Sequence, residues 1–462
     1  MHSLPSETGR LGGGVQPAAE AGSVEDLGIL RIAAGGDGVA RAHDGRVVFV
    51  PRTAPGDLVK AHVVEVRKSF ARARSLSVLE LGPGRRAAPC PVYDRCGGCQ
   101  IQHLRPDAQR DARRGMVVDA LRRIGGVDLS VPEPVVAGEE FGYRNRVSFT
   151  LRRSSAGVRC GYRDRETPAE IVDVADCPLA EAPVRQAWRA LRESWGPGAS
   201  RLPDGPELRL TVRGSYAGEV ALLVEGGENG SVSAAAELTR TVPGLVSVVW
   251  GPGDGPDRVL SGQRFLRDRW QGVEVELPPR VFLQINREAS SAMDVYLDGR
   301  IGPRESRRIG DLYAGVGARA VRWASEGARV VACEKDGLAC RTGGEAGRRR
   351  GVSVRFLRGR VEDRLAQLPE LDVIVVNPPR RGLAKSVTRY LAGCDGLEAL
   401  AYVSCDPATL ARDIARLGTS WELTSLQPFD AFPQTAHVEC IAWLRRRDGS
   451  AAGRDGEAGT GA

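Results

Sequence analysis

Two residues near the carboxyl end of the chain have the types and the setting that covalent and acid–base chemistry require. Cys405 follows an apolar run that predicts a strand, and Thr409 is a candidate cap for a helix after it. We therefore expect the Cys405 thiol in an exposed loop near positive charge, with a lowered pKa. Glu439 begins the last predicted strand beside a Phe-Pro turn and is a candidate general base. Taken alone, Glu439 is more typical of a surface acid. The neighbouring His437 is more typical of a polar residue with a satisfied hydrogen-bond partner.

A glycine-rich turn lies upstream of these residues. The segment DLYAGVGARA, from Asp311 to Ala320, follows a predicted strand and opens a predicted helix. Glycines at such a turn let the backbone approach a nucleotide-bearing ligand closely. Glu334 ends the next predicted strand, where a carboxylate can hold ribose hydroxyls. The pattern fits NAD and S-adenosylmethionine equally, and a tight turn without a ligand is the alternative.

A proline-fixed loop follows the apolar run LDVIVV. It begins at Asn377 and reads NPPRRG. Open α/β sheets bind ligands at the carboxyl ends of their strands, and two prolines make this loop rigid at that place. Dehydrogenases have no use for such a loop, whereas an Asx-Pro-Pro loop is typical of methyltransferases that act on planar nitrogenous bases.

Four of the ten cysteines are spaced as ligands. A Cys-x5-Cys-x2-Cys run and one remote thiol predict a tetrathiolate cage, formed by Cys90, Cys96, Cys99 and Cys177. Zinc and an iron–sulfur cluster suit four thiolates equally well. The alternative is unrelated buried cysteines with a chance Cys-x-x-Cys match, and Cys333, Cys394 and Cys440 are interpreted as such structural cysteines.

Composition restricts the class of protein. Apolar residues make up 42% of the 462 residues, which is enough for sizeable cores and excludes wholesale disorder. The formal net charge of +7 permits a polyanionic partner without requiring one. No run of about 18 apolar residues occurs, so we expect no transmembrane helix. The first residues lack the pattern of a secretory signal, and we expect a cytoplasmic protein.

The elements that position these residues fall into three blocks between two Gly/Ala-rich ends. The first block has short strands and turn signals typical of a small antiparallel barrel, with Lys68 and Arg72 on one strand pair. The second is strand-rich and mixed, with a helix over about 108–124. The third alternates strands and helices, which predicts a parallel doubly wound sheet. The predicted bounds are 1–22 (disordered), 23–86, 87–280, 281–447 and 448–462 (disordered tail).

Together these motifs resemble the RNA uracil-C5 methyltransferase family, and the resemblance extends over nearly the whole chain. It rests on the GxGVAR…DGRVVFVPxxxPGD pattern, the four cysteines, YRNR at Tyr143, FLQIN at Phe282, DLYAGVG, NPPRRGL, SCDPATLARD and DAFPQTAHVE. The family's fold implies an α/β multidomain protein. It would have an OB-like TRAM barrel at its amino end, a mixed central domain with the four-Cys site, and a Rossmann-like class I methyltransferase domain over 281–447.

The resemblance implies roles for individual residues. Cys405 would add to C6 of uracil and Glu439 would remove the C5 proton. S-adenosylmethionine would be bound by a set of five residues, Gln284, Tyr313, Gly315, Glu334 and Asn377. The four cysteines would ligate a [4Fe-4S] cluster of structural or RNA-organising function, and RNA would be contacted by Arg144, Arg146, Lys68 and Arg72.

The chain departs from the family pattern at one position of the site. Asn377 stands where the family usually has Asp, so an ionic contact to the cofactor's amino-acid portion would be lost. We expect an RNA partner, 23S rRNA in preference to tRNA, with no protein partner and a monomeric state. The alternatives are a tRNA 5-methyluridine enzyme, an adenine-N methyltransferase using the Asn-Pro-Pro loop, an iron–sulfur oxidoreductase and a catalytically silent RNA-binding protein.

Overall fold

The computed structural model describes residues 20–253 and 255–447. The predicted disordered ends, 1–22 and 448–462, therefore lie almost wholly outside the described residues. The described residues divide into two compact units, of which the first comprises residues 20–87 and 103–105 and the second comprises the others. Among the described residues, no helix combines the length and the apolar character that crossing a membrane requires.

The first unit is a six-stranded sheet. Its strands are β1 (Val24–Gly28), β2 (Arg31–Ile32), β3 (Gly38–Arg41), β4 (Val47–Val50), β5 (Leu58–Val66) and β6 (Phe70–Glu80). They lie in the order β1-β5-β6-β4-β3-β2, and only the β4–β6 pair is parallel. Buried side chains from five of these strands meet in one core, so the sheet curls around it, as the prediction of a small barrel requires.

The first helix and the mixed sheet belong to the second unit. Helix α1 (Pro106–Ala120) ends in a π-helical turn over Leu121–Gly125, close to the predicted bounds. The sheet has the order β13-β12-β11-β10-β7-β8-β9, and helices α2 (Ala182–Ser194) and α3 (Val232–Thr241) contribute to the same core. Its strands are β7 (Arg146–Ser154), β8 (Gly157–Arg163), β9 (Ile171–Asp173), β10 (Glu207–Gly214), β11 (Val220–Glu225), β12 (Leu245–Gly251) and β13 (Arg258–Gly262).

A two-stranded hairpin and a second seven-stranded sheet complete this unit. The hairpin pairs β14 (Leu266–Trp270) with β15 (Val273–Leu277). The sheet strands are β16 (Arg308–Leu312), β17 (Arg329–Glu334), β18 (Arg355–Arg358), β19 (Val373–Val376), β20 (Ala399–Ser404), β21 (Trp421–Phe429) and β22 (Glu439–Arg446). The helices are α4 (Arg287–Ile301), α5 (Ala318–Ser325), α6 (Gly337–Arg349), α7 (Lys385–Gly393) and α8 (Pro407–Leu417).

The order of the second sheet is β18-β17-β16-β19-β20-β22-β21, and every pair is parallel except the two that involve β22. Apolar clusters cover both faces of this sheet, to which the mostly apolar strands β17, β19 and β20 contribute side chains on each face. From β16 the chain continues to β17 on one side, whereas the later strand β19 lies on the other side of β16. The strand order therefore reverses between β16 and β19. Sheets of this kind bind their ligands at such a reversal, outside the carboxyl ends of the strands.

Candidate active site

A cavity of about 850 Å³ opens in the second unit at the carboxyl ends of the parallel strands. The two predicted catalytic residues and the five predicted cofactor residues all line it: Gln284, Tyr313, Gly315, Glu334, Asn377, Cys405 and Glu439. Arg144 lines it as well. Residues separated by more than a hundred positions are therefore neighbours in one pocket, which is large enough for a nucleoside ligand and a base.

Strand register explains how Cys405 and Glu439 come together. Ser404 at the end of β20 pairs with Cys440, the second residue of β22, and the two strands are antiparallel. The end of one strand therefore lies beside the start of the other, and Cys405 is adjacent to Glu439. On its other side β20 is parallel to β19, where Val376 pairs with Tyr402, so Asn377 leaves the sheet at the same edge.

The setting of Cys405 differs from the prediction. The side chain is half-buried, and its pKa is raised to about 11, first by burial and then by the Glu439 carboxylate. The nearby Arg380 opposes this shift without cancelling it. The expectation of a lowered pKa is therefore wrong, because the sequence revealed neither the burial of the thiol nor the acid beside it.

Helix α8 begins immediately after Cys405, and its cap is Asp406. The Asp406 carboxylate accepts a hydrogen bond of 2.9 Å from the Thr409 backbone N–H, which satisfies one of the free donors of the first turn. The expectation that Thr409 is the cap was wrong, since its hydroxyl instead donates to the Asp406 carbonyl. The capped helix holds the strand-to-helix turn that carries Cys405.

Glu439 is not a surface acid. It is only 6% exposed, and burial raises its pKa to about 8, with Arg380 opposing the shift. A carboxyl group with a pKa near neutrality can hold or release a proton under ordinary conditions, which is the property a general base or acid needs.

His437 lies in the same cavity and contacts Arg380. The Arg380 guanidinium donates a hydrogen bond of 3.1 Å to Nε2 of His437. Arginine can only donate, so Nε2 must be the unprotonated nitrogen and the proton of the neutral ring lies on Nδ1. Burial and Arg380 lower the pKa of His437 to about 4, so the imidazole stays neutral.

The glycine-rich turn links β16 to α5. Tyr313, Gly315 and Gly317 all have left-handed backbone conformations, with φ of 62°, 59° and 65°. The Gly315 N–H donates to one oxygen of Glu334 at 3.0 Å, and the Asp336 N–H donates to the other at 2.8 Å. The turn and the Glu334 carboxylate therefore form one rigid unit facing the cavity, as a nucleoside-binding strand end requires.

The segment that carries Gln284 is tied on two sides. Asn145 donates from Nδ2 to the Gln284 carbonyl at 2.9 Å. Asn286 accepts from the Ala289 N–H as the cap of α4, and its Nδ2 donates to the Ala431 carbonyl at 3.0 Å. These bonds fix the backbone of the segment at the cavity wall.

The segment between β21 and β22, residues 430–438, is supported by α1. The fully buried Arg113 forms an ion pair of 3.0 Å with Asp430 and donates to the Thr435 carbonyl at 3.1 Å. Gln109 accepts from the Gln434 N–H at 2.8 Å. The sequence analysis missed Arg113 and Gln109, and no spacing signal could have found them, because their partners lie more than three hundred residues away.

The four predicted ligand cysteines line a second, small cavity. Three of them are buried and Cys90 is half-buried, and all are free thiols. Burial first, and the neighbouring thiols after it, raise the pKa of Cys96 to about 12; burial likewise raises that of Cys99 to about 11. Within residues 20–253 and 255–447, no three His, Cys, Asp or Glu side chains adopt the close arrangement of a preformed metal site.

Arg144 is the one predicted RNA-binding residue that lines the active-site cavity, and it also lines the thiol cavity. Its Nε donates to the Tyr143 hydroxyl at 3.4 Å. Arg146 lies on β7 and lines neither cavity. The charged groups near it are Arg209, Glu225 and Arg280.

The other two predicted RNA-binding residues belong to the first unit. Lys68 is exposed in the turn between β5 and β6. Arg72 is exposed on β6 and lies 3.6 Å from Asp37 and from Glu65. Exposed ion pairs of this length contribute little to stability, so the guanidinium is not committed to these acids.

Comparison with known families and proteins gives two domain matches. The TRAM domain matches residues 18–76, and the family described as tRNA (Uracil-5-)-methyltransferase matches residues 355–447. The second match covers Asn377, Cys405 and Glu439 in their order along the chain. The α/β multidomain fold, with its TRAM domain and methyltransferase sheet, is thereby confirmed.

Relatives extend this similarity over most of the chain. An uncharacterized RNA methyltransferase of Gloeobacter violaceus is 32% identical, over 94% of this chain and all of that protein. The 23S rRNA (uracil(1939)-C(5))-methyltransferase RlmD of Pseudomonas putida is 31% identical, over 93% of this chain and 96% of its own length. The crystal structure of Pyrococcus abyssi tRNA (uracil-54, C5)-methyltransferase with S-adenosyl-L-homocysteine superposes with a TM-score of 0.70 and 25% identity, over 90% of this chain and all of that one.

Proposed function

The chain belongs to the S-adenosylmethionine-dependent RNA uracil-C5 methyltransferases, and from this premise we propose that it forms 5-methyluridine in 23S rRNA through a covalent adduct with Cys405. The observation that carries the proposal is the pairing of β20 with β22, which puts a thiol beside a buried carboxyl group in the cavity that the glycine-rich turn enters. Membership of this family argues against two of the alternative functions, an adenine-N methyltransferase and an iron–sulfur oxidoreductase.

The thiol is needed because C5 of uracil is a weak nucleophile. The Cys405 thiolate adds to C6, and the electron pair of the C5–C6 double bond moves towards C4, which leaves an enolate with nucleophilic character at C5. Bound S-adenosylmethionine supplies an electrophilic methyl group, and its sulfur leaves as a neutral thioether. C5 then carries both the new methyl group and its original proton.

Glu439 completes the reaction. Its carboxylate removes the C5 proton, the electron pair re-forms the C5–C6 double bond, and the C6–S bond breaks to release the Cys405 thiolate. The raised pKa of Glu439 supports this role, because a carboxylate with a pKa of about 8 is a much stronger proton acceptor than an exposed one. Arg380, which opposes the raised pKa values of Cys405 and Glu439, favours the anionic form of each.

The residues around the glycine-rich turn fit the methyl donor. We assign its nucleoside to Gly315 and Glu334, whose backbone-held carboxylate faces the cavity, with Tyr313 and Gln284 at the walls. Asn377 lies at the strand end where the family usually has a carboxylate. Its amide can donate and accept hydrogen bonds, but it gives no ionic attraction to the donor's ammonium group.

The four cysteines fit a [4Fe-4S] cluster by the chemistry of their donor set. They supply four sulfur atoms around one small cavity, which is the donor set that such a cluster uses. Cys90, Cys96, Cys99 and Cys177 would hold it, and it would supply structural cross-linking rather than a step of methyl transfer.

RNA binding is assigned to basic residues of both units. Arg144 at the cavity, together with Arg146, Lys68 and Arg72, would contact the phosphate backbone and offset the cost of taking the target base out of its stack. 23S rRNA is favoured because of the relative in Pseudomonas putida and the four cysteines. The second candidate substrate is tRNA, which the similarity to the Pyrococcus abyssi enzyme favours.

One experiment tests the substrate and the chemistry together. The protein is incubated with radiolabelled S-adenosylmethionine and, separately, with 23S rRNA and with tRNA that lack the modification, and the labelled nucleoside is identified. We expect 5-methyluridine in 23S rRNA and a stable protein adduct with RNA that contains 5-fluorouridine. Label in tRNA alone would overturn the substrate assignment, and absence of an adduct would overturn the covalent mechanism.

A further inference from the structure

The segment that carries the thiol ligands also contacts the segment that carries Glu439. The backbone N–H groups of Gln100 and Ile101 both donate to the carbonyl of Gln434, at 3.2 Å and 3.1 Å. The side-chain carbonyl of Gln100 accepts a hydrogen bond of 3.3 Å from the Ala436 N–H. Three hydrogen bonds from residues 100 and 101 therefore hold the chain just before β22.

Gln434 shows that this part of the segment is held in one specific conformation. It is fully buried and has a φ of 72°, which places a residue other than glycine in the left-handed region. Its side chain donates to the Glu140 carboxylate at 2.9 Å, and its N–H is bound by Gln109. A residue persists in this strained region only when its surroundings determine its conformation, and Gln100 is part of those surroundings.

The side chain of Gln100 is itself fixed. Its Nε2 donates to the Gly97 carbonyl at 3.0 Å, which orients the amide so that its oxygen faces the Ala436 N–H. Its backbone carbonyl accepts from the Tyr93 hydroxyl at 2.7 Å. The amide thus connects the Cys96–Cys99 loop to a point three residues before Glu439.

We propose that Gln100 is a positioning residue for Glu439: its amide oxygen holds the Ala436 N–H and thereby places the carboxylate where it meets the C5 proton. This proposal rests on the proposed function, because it assigns Gln100 to the last step of that reaction. Loss of the contact should slow removal of the C5 proton while leaving the addition of Cys405 to the base unaffected.

The test compares three variants with the wild-type protein. Gln100→Met keeps the length of the side chain and removes both polar atoms, whereas Gln100→Glu keeps the accepting oxygen. Gln427→Met is the matched control, because this glutamine lies on β21 outside the cavity and its side chain donates to the Glu133 carbonyl. Iron content is measured for each purified protein to verify that the thiol site is equally loaded.

We expect Gln100→Met to lower kcat on unmodified RNA between tenfold and a hundredfold, the range that a small displacement of a catalytic group produces. The protein–RNA adduct should accumulate during turnover, while the rate of adduct formation with 5-fluorouridine RNA stays within twofold of wild type. Gln100→Glu keeps the accepting oxygen but loses the N–H that donates to the Gly97 carbonyl, so it should recover only part of the lost kcat. Gln427→Met should match the wild-type protein.

Results of two kinds would overturn the proposal. One is an unchanged kcat in Gln100→Met. The other is a parallel fall in kcat and in 5-fluorouridine adduct formation, or an increase in KM alone, which would place Gln100 in folding or in RNA binding. If the wild-type protein itself forms no adduct with 5-fluorouridine RNA, the proposed function fails, and that outcome is distinct from a failure of Gln100.

Discussion

Replacing Glu439 by glutamine should remove a pH-dependent loss of stability and at the same time stop turnover. In the folded protein burial raises the pKa of this carboxyl group from 4.5 to about 8. In the unfolded chain the group titrates near its ordinary value. Between these two values the folded protein keeps a proton that the unfolded chain has released, so the free energy of unfolding falls as pH rises. The glutamine amide does not titrate in this range, so the variant lacks this pH-dependent loss of stability.

The magnitude follows from the shift. At about 1.36 kcal/mol per pKa unit, a change from 4.5 to about 8 corresponds to about 5 kcal/mol. Solvent screening does not reduce this figure much, because the side chain is only 6% exposed. The free energy of unfolding of Glu439→Gln, relative to wild type, should therefore rise by about 1.4 kcal/mol per pH unit between about pH 5 and pH 8.

Urea unfolding of both proteins at several pH values measures this difference. The informative quantity is the slope of the difference in free energy of unfolding against pH. A hydrogen bond lost or gained by the glutamine amide would shift this difference equally at every pH and leave its slope unchanged. If the difference in free energy of unfolding between Glu439→Gln and wild type stays constant from about pH 5 to pH 8, Glu439 is not a buried neutral carboxyl group. In the wild-type protein kcat should fall at least tenfold per pH unit below about 8, because the protonated carboxyl cannot accept the C5 proton and the Cys405 thiol must also lose its proton.

The other predictions concern the nucleophile, its neighbour, the support of the catalytic segment and RNA binding. Cys405→Ala should lose turnover and adduct formation but bind S-adenosylhomocysteine as tightly as wild type by calorimetry; normal turnover would end the mechanism. In Glu439→Gln the pKa of Cys405 should fall, because a negative neighbour is removed, so its alkylation, followed by peptide mass spectrometry, should begin at lower pH. Arg113→Met should lower the free energy of unfolding by about 3–5 kcal/mol, the cost of leaving Asp430 buried without its partner. Affinity for RNA should fall about fiftyfold between about 50 and 200 mM salt if four basic residues contact phosphates, and a flat dependence would contradict RNA backbone contacts.

The sequence predicted the methyltransferase sheet well because its pattern is local. Alternation of apolar runs with helical segments requires parallel strands, and the carboxyl ends of parallel strands share one edge. Asn377, Cys405 and Glu334 each follow or end such a run, so their meeting in one cavity could be expected from the sequence alone. Gln284 was predicted only from the resemblance to the family, because its segment has no strand or helix pattern that would place it at the cavity.

The electrostatics of the site could not be predicted in the same way. Whether the pKa of the Cys405 thiol rises or falls depends first on how deeply the fold buries it and then on the charges around it, which here follow from the antiparallel pairing of β20 with β22. The support of residues 430–438 by Arg113 and Gln109 is equally invisible in the sequence, because it consists of hydrogen bonds between segments far apart along the chain. The predicted division of the second unit at residue 280 stays a prediction.

The raised pKa values of Cys405 and Glu439 fit the order of events in the proposed mechanism. Each group is neutral in the resting site, so two anions do not face each other in a buried cavity. Cys405 first releases its proton to solvent, and when the thiolate adds to C6 its charge moves into the pyrimidine ring and the sulfur becomes a neutral thioether. After C5 has been methylated the ring is neutral again, and Glu439 can then release its own proton to solvent and act as an anion without a negative sulfur beside it. The site therefore needs only one negative charge at a time, and Arg380 is placed to stabilise it at either position.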